Sequence, residues 1–172
     1  TDDRYAEAVD YCKIYFSANY GDLSELPRYP TNFEESKRWL TQFLETRFSE
    51  FGDYEDALVS AEGILNHSVL SPLINAGLLT PQYVIDQILQ HSEKNNIAIN
   101  NCEGIVRQII GWREFIRGIY MVKGTEERTT NYWKFDRRLP KSFYNGTTGI
   151  DPVDNAIRKV LQTGYNHHIE RL

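Results

Sequence analysis

Asn101-Cys102-Glu103-Gly104-Ile105-Val106-Arg107-Gln108-Ile109-Ile110-Gly111-Trp112-Arg113-Glu114-Phe115-Ile116-Arg117-Gly118 is the stretch that decides the fold. It reads as one helix, apolar over most of its circumference. A surface helix keeps a broad polar face, so a helix this apolar is expected inside the protein. Yet it carries Glu103, Arg107, Arg113, Glu114 and Arg117. Buried charges are costly unless paired, so these mark either a structural ion-pair network or a site. On a helical wheel Glu103, Arg107, Glu114 and Arg117 fall within about 80° of one another. Trp112 lies roughly opposite, with Ile105, Gln108, Ile109 and Ile116. Intrahelical pairs account for the charged face, and core packing for the other. Gln108 beside Trp112 is harder to place, because an amide on an apolar face needs a partner. As a core aromatic, Trp112 cut back to alanine is expected to cost about 3–5 kcal/mol.

Working outward, the remaining chain reads as almost wholly helical. Residues 3–17 form a first helix, ended by Asn19-Tyr20-Gly21, and residues 22–31, with Pro27 and Pro30, form a connector. Asn32-Phe33-Glu34-Glu35 resembles a capping box. Phe33, Leu40, Phe43, Leu44 and Phe48 then recur at helical spacing, and Gly52 is expected to end that helix. A short acidic helix or turn covers 53–60. Ser68–Ala76 reads as a helix capped by Ser68, with Pro72 early and Gly77 just past its end. Thr80-Pro81 is a strong start for a helix running to about Glu93. Residues 95–99 form a loop, and Asn100 or Asn101 is expected to cap the central helix, which ends near Gly124. Residues 125–150 read as a long loop, a length that is often functional. Asp151-Pro152 opens a last full helix with Val153, Ile157, Val160 and Leu161 on one face, broken by Gly164. Residues 166–172 read as the start of another helix. The expected class is all-α, one helical domain over 1–172, and the chain reads as a fragment of something longer.

The 172 residues allow one domain with a real core. No run of apolar residues is long enough to span a membrane, and Thr1-Asp2-Asp3-Arg4, without an apolar stretch, is expected to be a fragment boundary and not a signal peptide. The two cysteines, Cys12 and Cys102, lie far apart in no metal-ligand spacing. That fits reduced thiols in a cytoplasm-like compartment. Cys102 at a helix start is either a more acidic thiol or a small buried residue. The net charge of −5 argues mildly against nucleic-acid binding. However, residues 1–86 carry −9 and residues 87–172 carry +4. Arg128, Lys134, Arg137, Arg138 and Lys141 alternate with Tyr132, Trp133, Phe135, Phe143 and Tyr144, a mixture that suits phosphates and unstacked bases. A solvated loop with a few packed aromatics explains it equally well.

Two further segments hold candidate chemistry. His67-Ser68-Val69-Leu70-Ser71-Pro72-Leu73 puts hydroxyls at a helix start, where free N–H groups bind phosphate. Ordinary capping by Ser68 explains the same residues. His167-His168 are adjacent histidines on an expected helix. There they point about 100° apart and do not chelate one metal as an i, i+4 pair would. Proton donation is a natural use for one of them, and a satisfied core or surface histidine is the plain alternative. No P-loop, dinucleotide turn, zincin motif or nucleophile elbow is present.

Four segments together resemble the prokaryotic iron–sulfur photolyases and cryptochromes. They are Phe51-Gly52-Asp53-Tyr54-Glu55-Asp56-Ala57; Asn66–Pro72 followed by Gly77-Leu78-Leu79-Thr80-Pro81; Asn101–Gly118; and Tyr165–Leu172. The resemblance implies part of the helical FAD-binding domain of such a protein, without its antenna domain or its C-terminal remainder. It implies FAD as cofactor and damaged DNA as the partner of the parent protein. Ser68, Leu70, Ser71 and Pro72 resemble the stretch that meets the flavin phosphates. Trp112 and Arg113 resemble the wall of the flavin and lesion pocket, with Glu103, Arg107 and Gln108 nearby. His168, and less closely His167, resembles the histidine that moves a proton at the lesion. Tyr144 falls where the family can place an aromatic electron relay. One departure stands out. Where the family takes its first cluster cysteine, this chain has Gly149-Ile150-Asp151-Pro152, so an iron–sulfur cluster is not supported by this chain. Three readings stay open: a fragment of a (6-4)-type photolyase, inactive in isolation; a cryptochrome-like photoreceptor without repair; and a helical interaction domain without cofactor.

Overall fold

The computed structural model describes residues 3–23, 28–60 and 62–171. The described residues are helical with no strand, as expected. Among the described residues nine α-helices follow in order: α1 (Asp3–Tyr15), α2 (Phe33–Thr46), α3 (Phe51–Tyr54), α4 (Ser71–Asn75), α5 (Pro81–Asn95), α6 (Ile99–Val106), α7 (Trp112–Thr129), α8 (Ser142–Asn145) and α9 (Asp151–Thr163). Of the expected connector at 22–31, residues 24–27 lie outside the described residues, as do Thr1, Asp2, Ala61 and Leu172.

The core is built where the apolar periodicity is strongest. Leu40, Phe43 and Leu44 of α2 meet Phe51 of α3, Val84, Ile85 and Ile88 of α5, and Cys102 and Ile105 of α6. Cys102 is therefore a packed core residue. Two helix starts form as their side chains dictate. Asn32 Oδ1 accepts the Glu35 backbone N–H at 2.9 Å, and Thr80 Oγ1 accepts that of Tyr83 at 3.2 Å. Each satisfies one amide that has no intrahelical partner.

Three expectations are corrected by tertiary contacts. Gly52 does not end a helix: α2 stops at Thr46, a 3-10 turn covers Phe48–Glu50, and Gly52 sits inside α3. Its role is close approach, since a Cβ there would lie 2.7 Å from Asn100 O and 2.8 Å from Asn100 C. Neither Asn100 nor Asn101 caps α6, whose N-cap is Ala98 without a side-chain bond. Both reach across to the segment around Gly52 instead. Asn100 Nδ2 donates to Asp53 Oδ1 at 2.8 Å, and Asn101 Nδ2 donates to Ser49 O at 2.8 Å. Asn101 Oδ1 accepts the Gly52 N–H at 2.7 Å. This is a clamp between α3 and α6. Gly52→Ala is expected to cost about 1–3 kcal/mol by overpacking. A urea melt showing no loss would remove the clamp as a stability element.

Third, the central stretch is not one uniform helix inside the protein. Arg107–Gly111 forms a π turn between α6 and α7, and α7 runs on to Thr129, beyond Gly124. The π turn rotates everything after it, so the four charges do not form one ladder. They form two pairs, Arg107–Glu103 at 3.8 Å and Arg117–Glu114 at 2.9 Å. Past Ile109 the large apolar side chains are no longer buried, and Phe115, Ile116 and Tyr120 are all more than half exposed. Trp112 is 57 % exposed and is not a core residue. Trp112→Ala is now expected to cost less than about 1 kcal/mol, checked by the same melt.

The expected 125–150 loop is shorter than its sequence implies, because α7 takes its first turn and α8 interrupts the rest. Its basic and aromatic side chains are exposed, with Trp133 and Phe135 stacked at 6.4 Å. α9 forms as expected and ends at Gly164 with φ +68°. Residues 166–171 make only a 3-10 turn, Ile169–Arg171.

Candidate functional site

A cleft of about 310 Å³ opens where three distant segments of chain meet. The segment before α4 contributes His67, Ser68, Val69, Leu70 and Ser71; the π turn and α7 contribute Gln108, Ile109, Trp112 and Arg113; the C-terminal segment contributes Tyr165, His168 and Arg171. Ser68, Leu70, Ser71, Gln108, Trp112, Arg113 and His168 thus line one cleft. Pro72, Glu103, Arg107, His167 and Tyr144 do not line this cleft. Arg107 lines an adjoining groove with Gln108, Trp112 and Phe115. Tyr144 sits on α8, stacked on Tyr20 at 5.5 Å.

Ser68 does not cap α4. That helix begins at Ser71, after Leu70 as N-cap with no side-chain bond. The intervening Val69 has φ +54° and is buried. A β-branched residue there is strained, and it turns the chain so that Ser68 and Ser71 both face the cleft. With only five residues, α4 gives little dipole, so any anion contact rests on these hydroxyls and on Arg113 and Arg171.

Beneath the cleft lies a buried carboxylate that sequence reasoning missed. Glu55 is 7 % exposed. It accepts from Arg107 Nη2 at 2.8 Å and from Gln108 Nε2 at 3.2 Å. This answers the question raised by an amide on an apolar face: Gln108 has a charged partner. A Cβ on Gly104 would stand 3.5 Å from both Glu55 oxygens, so the glycine sits directly against the carboxylate. The π turn, a feature frequent at functional sites, follows immediately and sets the direction of Trp112 and Arg113.

The histidines also depart from expectation. His167 and His168 precede the 3-10 turn and are not on a helix, so the helical angle between neighbours does not apply. His67, which was not singled out, joins them. Its ring stacks on that of His167 at 4.2 Å and 13°. His67 is pushed down to about 4, first by burial and then by the two neighbouring imidazoles. His167, 3 % exposed, is held below its ordinary value by burial, partly offset by Glu170. His168 is half-buried, and its Nε2 lies 2.8 Å from Asp56 Oδ1. Tyr165 is pushed up to about 12 by burial. The signal that could have found His67 and Glu55 was present: both belong to the segments whose combination carries the resemblance.

No protein-family model matches the chain. It is 33 % identical over 166 residues to a (6-4) photolyase of Agrobacterium fabrum, covering 96 % of this chain and 32 % of that protein. It is 39 % identical over 112 residues to the uncharacterized protein R853 of Acanthamoeba polyphaga mimivirus, covering 64 % of this chain and 85 % of that one. A chloroplastic/mitochondrial cryptochrome DASH of Ostreococcus tauri is 27 % identical over 154 residues, 84 % of this chain and 25 % of that protein. The chain is thus similar to a part of proteins named (6-4) photolyase and cryptochrome DASH. It spans about a third of the length of the (6-4) photolyase it matches. No helix among the described residues is long and apolar enough to cross a membrane.

Proposed function

We propose that this chain forms part of the FAD-binding domain of a light-driven DNA repair protein of the (6-4) photolyase type, working in a cytoplasm-like compartment. The observation that carries this reading is the cleft. It gathers Ser68–Ser71, Gln108, Ile109, Trp112, Arg113, Tyr165 and His168 from three remote parts of the chain, and 96 % of the chain aligns with a (6-4) photolyase. The residues fit such a cofactor. Leu70, Ile105, Ile109 and Trp112 offer an apolar and aromatic wall, while Ser68, Ser71, Arg113 and Arg171 offer hydroxyls and cations suited to a diphosphate. When bound, FAD supplies the light-driven redox chemistry. The protein supplies the wall, the phosphate contacts and, at His168, a proton.

The exposed apolar face of α7 belongs, on this reading, to the interior of a larger flavin-binding domain. The exposed basic and aromatic side chains at 128–144 then serve the phosphate backbone of damaged DNA, from which a lesion base must be flipped into a pocket. Similarity to proteins named cryptochrome DASH favours a second reading, a flavin photoreceptor without repair. The deciding measurement is the visible absorbance of the full-length protein purified in the dark. Flavin bands that bleach on illumination with a reductant support both flavin readings, and repair of (6-4) lesions then selects the first. A colourless protein that takes up no added FAD would leave a helical interaction domain.

A further inference from the structure

We propose that Glu55 is a positioning residue for the cleft: through Gln108 it presents a hydrogen-bond acceptor there and so selects a ring edge that carries an N–H. The Glu55 carboxylate is buried and spends its two oxygens on neighbouring residues of the π turn. Oε1 accepts from Arg107 Nη2 at 2.8 Å, and Oε2 accepts from Gln108 Nε2 at 3.2 Å.

This pairing fixes which end of the amide faces outward. A carboxylate held by an arginine only accepts hydrogen bonds. Gln108 therefore meets it with the NH2 group, and turning the amide over would set oxygen against oxygen. The remaining polar atom, Gln108 Oε1, accepts no hydrogen bond from the described residues and is not sealed from solvent. Gln108 lines both the cleft and the adjoining groove, with Trp112 in each. Oε1 is thus the polar atom that Gln108 offers to a ligand.

Its character differs from that of its neighbours. Arg113 and Arg171 in the same cleft bring only donors. A flavin and a pyrimidine base each carry an N–H between two carbonyls, and an acceptor beside an aromatic wall suits that edge. A site built around such a bond rejects an analogue that lacks the N–H, because the site's own polar atom is then left unpaired. Losing the Glu55 charge frees the amide to turn, and the acceptor is then no longer held in place.

The ligand in this inference rests on the flavin reading; the orientation of the amide does not. The full-length protein is titrated in the dark with two probes, FAD and (6-4) lesion DNA, which tell the two sources of N–H apart. Glu55→Gln, which keeps the shape, and Gln108→Met, which removes the amide, are each expected to raise the same one of the two dissociation constants by about 3–10-fold, the factor for one neutral hydrogen bond. The double variant is expected to lose no more than Gln108→Met alone, since Glu55 acts through Gln108. A side chain that merely braced α3 against the π turn would add its own loss. In 15N spectra of the full chain, the Gln108 side-chain NH2 is expected to show one slowly exchanging proton that is lost in Glu55→Gln. Additive losses, or neither constant changed in Gln108→Met, overturn the proposal, the latter even if Glu55→Gln fails to fold. A protein that takes up no FAD yet keeps the protected Gln108 proton would defeat the flavin reading alone. A flavoprotein without that proton would defeat this one alone.

Discussion

Replacing Phe43 by alanine is expected to lower stability by about 3–5 kcal/mol, the range for deleting a buried large aromatic. Phe43 is 0 % exposed on the inner face of α2. Its ring stands edge-on to Phe51 at 5.8 Å and 87°, and tilted to Phe48 at 5.8 Å. The Arg47 guanidinium lies 5.7 Å from the ring centroid. Truncation therefore removes transfer energy, two aromatic contacts and a cation–π contact together, and it leaves a cavity. Nothing nearby is free to collapse into it, since Leu40, Phe48, Val84 and Ile88 are themselves fully buried. The measurement is a denaturant melt with Phe33→Ala as reference. Phe33 lies on the same helix but is 61 % exposed, and its loss is expected to cost less than about 0.5 kcal/mol. A lower midpoint with an unchanged slope reports stability alone. Equal losses for the two variants would mean that α2 does not pack as described.

The helical class and the caps at Asn32 and Thr80 were legible in the sequence because they rest on local rules. So was the core stripe Leu40–Phe43–Leu44 on α2. What was not legible depends on contacts between remote segments. Gly52 looks like a helix end in isolation, and only the approach of the Asn100 backbone shows why a side chain is forbidden. Asn100 and Asn101 look like caps, and only the position of α3 turns them into a clamp. The π turn at Arg107–Gly111 cannot be read from a wheel that assumes even spacing. Once the helix slips there, the charged face divides into two pairs and Trp112 turns out of the core. The resemblance pointed to Ser68, Ser71, Gln108, Trp112, Arg113 and His168, and these residues share a cleft. Glu55 and His67 were passed over because a carboxylate in an acidic turn and a lone histidine before a helix carry no local signature. Their significance lies in what they touch.

Under the proposed function, His168→Ala in the full-length protein is expected to reduce repair by about 10²–10⁴-fold, the usual loss when a positioned proton donor is removed, while leaving FAD bound. The three histidines divide by environment. His67 and His167 are buried and stacked, and burial disfavours their protonated forms. They are poor proton donors near neutral pH. His67 and His168 both line the cleft, but of the three only His168 is partly exposed, with a carboxylate on its ring, Asp56 at 2.8 Å. That arrangement orients the imidazole. Asp56→Asn should accordingly cost less than His168→Ala and should act on kcat more than on KM. His167→Ala should appear chiefly as lost stability, because it removes a buried ring stacked on another. The readout is lesion repair under continuous light, with flavin absorbance recorded on the same samples. Unchanged repair in His168→Ala removes that residue from the mechanism. Repair lost together with the flavin bands would make His168 a support of the pocket and no proton donor. Either result would shift the proton source to another group lining the cleft, of which Tyr165, held protonated by burial, is the nearest in kind.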